Sequence, residues 1–146
     1  MITNLAIATV WTTDQVRSRD FFTEKLGFEI RDDIELHEDM RWITVGVPGQ
    51  PDVMLALMRT NGPGLDPESA EALTMLVNKG VLGAGAFHTD DCRATYEKLR
   101  ANGVDFIQEP QERPYGVEAI FRDDSGNWYS LTQTREGGLD YSKPWS

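Results

Sequence analysis

Apolar and polar positions fall into short blocks along this chain, and the order of the blocks repeats. Leu5 to Trp11 is an apolar, β-prone run closed by Thr12-Thr13-Asp14, whose side-chain oxygens suit a helix start. Val16, Phe21, Phe22 and Leu26 then share one face of a helix that ends at Gly27, a residue tolerant of the left-handed C-cap conformation. Strand-like runs follow at Phe28 to Leu36, Arg41 to Val47 and Val53 to Met58. They are separated by turns at His37-Glu38-Asp39 and Pro48-Gly49-Gln50-Pro51. The predicted order is β-α-β-β-β.

The same phrase returns 76 residues later, where Thr89-Asp90 stands in the role of Thr13-Asp14. Val81 to Thr89 reads as a strand and Asp90 to Asn102 as a helix, with Tyr96 and Leu99 on its apolar side before Gly103. Val104 to Glu109, Val117 to Arg122 and Trp128 to Gln133 are the following strands, the last two joined by a tight turn over Asp123 to Asn127. Asn61-Gly62-Pro63-Gly64 punctuates the space between the copies, and Pro67 to Lys79 reads as a linker helix opened by Asp66 and closed by Gly80. The tail, residues 135–146, drapes over the surface, and Tyr141 and Trp145 suit docking on the body or on a partner subunit. These patterns predict an α+β fold. One domain spans 1–146, with modules over about 4–60 and 81–134 whose strands surround a shared concavity.

Composition narrows the function. A chain of 146 residues, 40% hydrophobic and 26% charged, matches one globular domain. No apolar run approaches the ~20 residues that span a bilayer, and Met1-Ile2-Thr3-Asn4 carries no basic lead into an apolar stretch. A single cysteine, Cys92, excludes an internal disulfide and makes the cytoplasm the expected compartment. Net charge −10 and a pI near 4.6 argue against a nucleic-acid backbone as partner and would draw in a cationic small molecule. Glu35, Glu38, Asp39, Asp90, Asp91, Glu109 and Glu112 nevertheless fall where exposed turns and helix starts are expected, so the charge also serves solubility. Asp90 and Asp91 disfavour a Cys92 thiolate and so a nucleophilic role.

The paired β-α-β-β-β units, with Phe21-Phe22-Thr23-Glu24-Lys25-Leu26-Gly27-Phe28 in the first and Phe121-Arg122-Asp123-Asp124-Ser125-Gly126-Asn127 in the second, resemble the vicinal oxygen chelate superfamily. That group includes glyoxalase I, extradiol dioxygenases and the fosfomycin- and bleomycin-resistance proteins. The resemblance runs from about Leu5 to Gln133. In its metal-dependent members, His, Glu or Gln from four strands hold a divalent ion. The resemblance places those positions at Ile7, Ala56, Ala84 and Ser130, and none of these is a usable ligand for such an ion. His88 and Glu118 could supply part of an unconventional site, while His37 points to solvent in its acidic turn. The expectation is no metal and no cofactor.

Period-two alternation sets Met54, Ala56 and Met58 on one face, Ala84, Ala86 and His88 on a second strand, and Trp128, Ser130 and Thr132 on a third. With the old ligand positions as guides, these sets line an apolar, aromatic pocket, although Met54 and Met58 serve equally well as core. Trp11 alternates with Ile7 and Thr9 and is either cavity wall or core, and core is favoured for Trp42. His88 reads as a hydrogen-bonded wall residue before a general acid or base. Tyr115 and Glu118 are candidates for a bound amine or hydroxyl, against a solvated strand-edge role for Glu118. The candidate ligand-binding set is therefore Trp11, Met54, Ala56, Met58, Ala84, His88, Tyr115, Glu118, Trp128 and Ser130.

Two functions fit. The first is a metal-free binding protein that sequesters an aromatic or cationic compound, as bleomycin-resistance proteins do, with a homodimer implied by the resemblance. The second is a lyase, isomerase or dioxygenase-type enzyme that uses His88 and Glu118, with or without a non-standard metal site.

Overall fold

The structure is a computed structural model and describes residues 1–37 and 39–146. The turn acid Glu38 lies outside the described residues. The chain forms two compact units: Met1–Val81 with the hairpin-tip residues Asp124–Gly126, and Leu82–Asp123 with Asn127–Ser146.

In the first unit β1 (Ile7–Thr12), β2 (Glu29–His37), β3 (Met40–Gly46) and β4 (Met54–Arg59) form a sheet in the order β1-β4-β3-β2. The outer pair β1 and β4 is parallel, and the β2-β3-β4 meander is antiparallel. Alternation sends Val10, Ile43, Val45 and Leu57 to one face, where they are fully buried with Phe22. Each such side chain contributes roughly 1.5–3 kcal/mol by leaving water.

The segment between β1 and β2 departs from the expected regular helix. The α-helix α1 covers only Gln15–Asp20, and Phe21–Lys25 is one turn of π-helix. Val16, expected on the apolar face, is 37% exposed, and Gln15 and Ser18 are buried in its stead. Gln15 is inside because it has acceptors there: its Nε2 donates to the carbonyls of Arg41 and Leu57 at 2.9 and 2.7 Å. A buried polar group with both donors used is as much at home as an apolar one. The linker helix α2 (Pro67–Lys79) has the boundaries its sequence predicts. Asp66 caps the Ser69 amide at 2.9 Å, Pro67 occupies the first turn, and Gly80 takes the left-handed C-cap at φ 75°.

In the second unit β5 (Gly83–His88), β6 (Asp105–Arg113), β7 (Gly116–Arg122) and β8 (Trp128–Thr134) repeat the arrangement in the order β5-β8-β7-β6, with α3 (Cys92–Ala101) after β5. Again the pair β5 and β8 is parallel. Phe87, Phe121 and Tyr129 stack with ring centroids 5.2–6.2 Å apart. The Tyr129 hydroxyl is satisfied by Asp123 Oδ2 at 2.7 Å, and the same carboxylate accepts the Asn127 amide and side chain. The Asp123 to Asn127 turn is thus fastened to the core by one buried acid.

Helix capping corrects the alignment of the two copies. Asp14 caps Arg17 N and its own amide donates to Thr12 Oγ1, and Asp91, not Asp90, does the same with Ala94 N and Thr89 Oγ1. The spacing at the helix start is therefore 77 residues, whereas Gly27 and Gly103 are 76 apart. The first copy holds one residue more, and the π-turn absorbs it: Leu26 N reaches back five residues to the Phe21 carbonyl at 3.4 Å. A single inserted residue is what such a turn accommodates without breaking the helix.

Candidate functional site

The face of the first sheet opposite Val10 and Leu57 carries Thr9, Trp11, Thr44, Trp42 and the β4 residues Met54, Ala56 and Met58. Register pairs Thr9 with Ala56 and Trp11 with Met58. Thr44 donates to Asp32 Oδ2 at 2.7 Å and lies 3.7 Å from the Met54 sulfur. Trp42, expected in the core, belongs to this face: its neighbour Ile43 is fully buried on the other side, and Trp42 itself is half-buried. Trp11, Trp42 and Met58, with Arg59, Pro63 and Leu65, border a cleft of ≈ 180 Å³. Two indoles and a thioether give it apolar surfaces that suit a flat molecule, beside the charged residues Asp39, Arg41 and Arg59.

The corresponding face of the second sheet is polar at its centre. Glu118 on β7 accepts the Tyr115 hydroxyl at 2.7 Å and the Ser130 hydroxyl at 2.6 Å, and Ser130 shares a further 2.8 Å hydrogen bond with Thr132. The Glu118 side chain is 16% exposed, and Arg113 Nε lies 4.0 Å from its Oε1. Glu118 is therefore no solvated edge acid, because strand pairing turns it onto the sheet face where two hydroxyls converge on it. Gln108 Nε2 ties the network to the Glu118 carbonyl at 3.1 Å, and Arg113 donates to Gln108 Oε1 at 3.2 Å. Burial, then the hydrogen bond to Glu118, pushes the Tyr115 phenol up to about 12. A phenol that donates to a carboxylate gives up its proton reluctantly.

His88 is exposed at the end of β5 and pairs with Thr132, which pairs in turn with Glu118. One strand separates the two, so they stand about 10 Å apart, too far for direct proton exchange. His37 is exposed at the end of β2.

The β5 alternation is broken. A register shift between Gly83 and Gly85 sets Gly83, not Ala84, opposite Trp128, and only Ala86 and His88 keep the phase of Ser130 and Thr132. Trp128, 36% exposed, lies against Gly83 so closely that a Cβ there would stand 2.6 Å from the indole. Cys92 is fully buried and its thiol faces the Leu131 carbonyl at 3.4 Å. Desolvation first of all pushes it up, so it is a poor nucleophile.

The structure thus gathers Trp11, Met54, Ala56 and Met58 in the first unit, and His88, Tyr115, Glu118 and Ser130 in the second. Sequence reasoning missed Trp42 and Arg113. Alternation with Thr44 could have indicated Trp42, but Arg113 sits at a hairpin end where no periodicity applies.

The positions that would serve as metal ligands do not fit a metal. Ile7, Ala56 and Ala84 have no donor atom, the β5 irregularity offers only Gly83 or Ala86 in place of Ala84, and the Ser130 hydroxyl is engaged by Glu118. Among the described residues no group of three or more His, Cys, Asp or Glu side chains is placed to hold an ion. No helix of the described residues is long and apolar enough to cross a membrane.

Two sheets of this order, each a β-α-β-β-β module, define the paired glyoxalase-like class of fold. The sequence pattern of the Glyoxalase/Bleomycin resistance protein/Dioxygenase superfamily matches residues 4–131, and the chain belongs to that superfamily. Among solved structures it is similar to UcmS2, with 46% identity, 92% of this chain and 100% of that one covered, and a TM-score of 0.87. It is also similar to TnmS3, an antibiotic binding protein from Streptomyces sp. CB03234, with 28% identity, 92% and 98% coverage, and a TM-score of 0.72. An uncharacterized protein of Shewanella frigidimarina (strain NCIMB 400) is 33% identical over 121 residues, 80% of this chain and 83% of its own.

Proposed function

We propose that this protein binds a small aromatic compound, neutral or cationic, and releases it unchanged, needing no metal. The observation that carries the reading is the cleft between Trp11, Trp42 and Met58. Two indoles offer stacking faces worth roughly 0.5–1.5 kcal/mol each beyond the area they bury. The net charge of −10 favours a ligand that is not an anion. The similarity to TnmS3, which is an antibiotic binding protein, supports the same class of ligand. A cytoplasmic homodimer belongs to the proposal, and sedimentation equilibrium tests the dimer.

The enzymatic alternative needs a substrate long enough to touch both His88 and Glu118 across Thr132. The deciding experiment is titration of tryptophan fluorescence with a panel of planar aromatic compounds and aromatic amines, repeated on Trp11→Ala. Saturable quenching in the wild type, weakened tenfold or more in Trp11→Ala, supports the proposal. Turnover of a bound compound that His88→Ala abolishes would replace it with the enzyme reading.

A further inference from the structure

A second, larger hollow opens entirely within the second unit, where the carboxyl ends of β5 and β8 meet the β6-β7 hairpin and the tail. It measures ≈ 610 Å³ and, unlike the indole-lined cleft, is walled by charge. Arg113, Arg135 and Lys143 supply cations, and Asp90, Glu112, Glu136 and Asp140 supply carboxylates.

Internal pairing accounts for part of this set. Lys143 holds Glu112 at 3.0 Å, and Asp140 caps its own turn by accepting the Ser142 amide and hydroxyl at 3.0 and 2.6 Å. Arg135 remains on the positive side, and Asp90 and Glu136 on the negative, while Arg113 donates to Gln108 and stands 4.0 Å from Glu118, too far for its Nε to form a hydrogen bond. Arg113 is the informative one. It is 8% exposed, and its Nε is buried with no hydrogen-bond acceptor among the described residues. A buried guanidinium with one donor unused keeps capacity for a further acceptor.

The tail builds the remaining wall. Arg135 N donates to the Tyr115 carbonyl and Asp140 N to the Pro114 carbonyl, each at 2.8 Å, which fixes the tail against the hairpin that carries Arg113. The hollow is thus bounded by ordered backbone, and its volume suits a compound of amino-acid to short-peptide size.

We infer that this hollow is a binding site for a zwitterionic amino-carboxylate, an amino acid or short peptide. Arg113 takes the carboxylate, for which its planar fork is shaped, and Asp90 or Glu136 takes the ammonium group. A simple anion would meet the surrounding acids, and a simple amine would leave Arg113 unanswered. A molecule with both charges answers both signs of the lining.

Isothermal titration with glutamine, glycylglycine, acetate and methylamine tests the assignment on the intact protein. Saturable binding of glutamine or glycylglycine, at least tenfold tighter than acetate or methylamine, is the expected result. Arg113→Gln should remove it, and the exposed Arg135→Gln and Glu136→Gln, which leave the buried network alone, should each weaken it severalfold. Equal binding of all four probes, no binding by either zwitterion, or full affinity in Arg135→Gln and Glu136→Gln together would overturn the inference. The aromatic titration reports on Trp11 and is unaffected by either outcome.

Discussion

The Tyr115 hydroxyl donates to Glu118 Oε1 at 2.7 Å, and the same carboxylate accepts Ser130 from the neighbouring strand, so one acid joins the β6-β7 hairpin to β8. The bond also sets an alkaline limit to stability. The folded phenol is raised to about 12 from its ordinary value of 10.0, so the stabilisation is complete below pH 10 and is lost as pH rises towards 12. Chemical denaturation at several pH values should show a loss of about 1–2 kcal/mol across that window, and Tyr115→Phe should reduce the pH dependence.

An acid limit follows from Asp33. Its carboxylate accepts Arg41 Nε and Arg19 Nη1, both at 2.7 Å, and the hydrogen bond from Arg41, then that from Arg19, holds it below the usual range against the opposing effect of burial. The stabilisation is present above pH 4 and is lost as pH falls through the folded value. Asp33→Asn should lower stability at pH 7 by about 1 kcal/mol and flatten the acid limb of the pH profile.

Gly116 begins β7 beside Tyr115 with φ at +147°, and a Cβ there would lie 1.9 Å from the Gln133 carbonyl oxygen. Neither the backbone angle nor the neighbour can yield cheaply. Gly116→Ala should cost about 3 kcal/mol or more, read as a lower denaturation midpoint.

Cys92 is fully buried, and desolvation raises its thiol. Labelling with a thiol-reactive disulfide reagent should be slow in the native protein and immediate in denaturant. Fast native labelling would contradict the packing of α3 on β8.

Much of the fold was legible because its signals are local. The caps of α2 at Asp66 and Gly80 and the alternation within β4 and β8 needed no tertiary information. What escaped depended on partners distant in sequence. Gln15 displaces Val16 because two carbonyls from β3 and β4 await it, and Ala84 loses its phase because Gly83 must lie under Trp128. Of the site, Trp11 and Met58 could be read from alternation. Arg113 could not, because nothing in a hairpin end says which way a long side chain turns.

The central claim is that Trp11 and its neighbours bind an aromatic compound without a metal, and a thermal-shift titration in the presence of EDTA tests it most directly. A ligand that binds the folded state should raise stability with concentration, reaching about 2.7 kcal/mol at a hundredfold excess over its Kd, and Trp11→Ala should lose most of that gain. Stabilisation that appears only when a divalent metal is supplied, or that survives unchanged in Trp11→Ala, would contradict it.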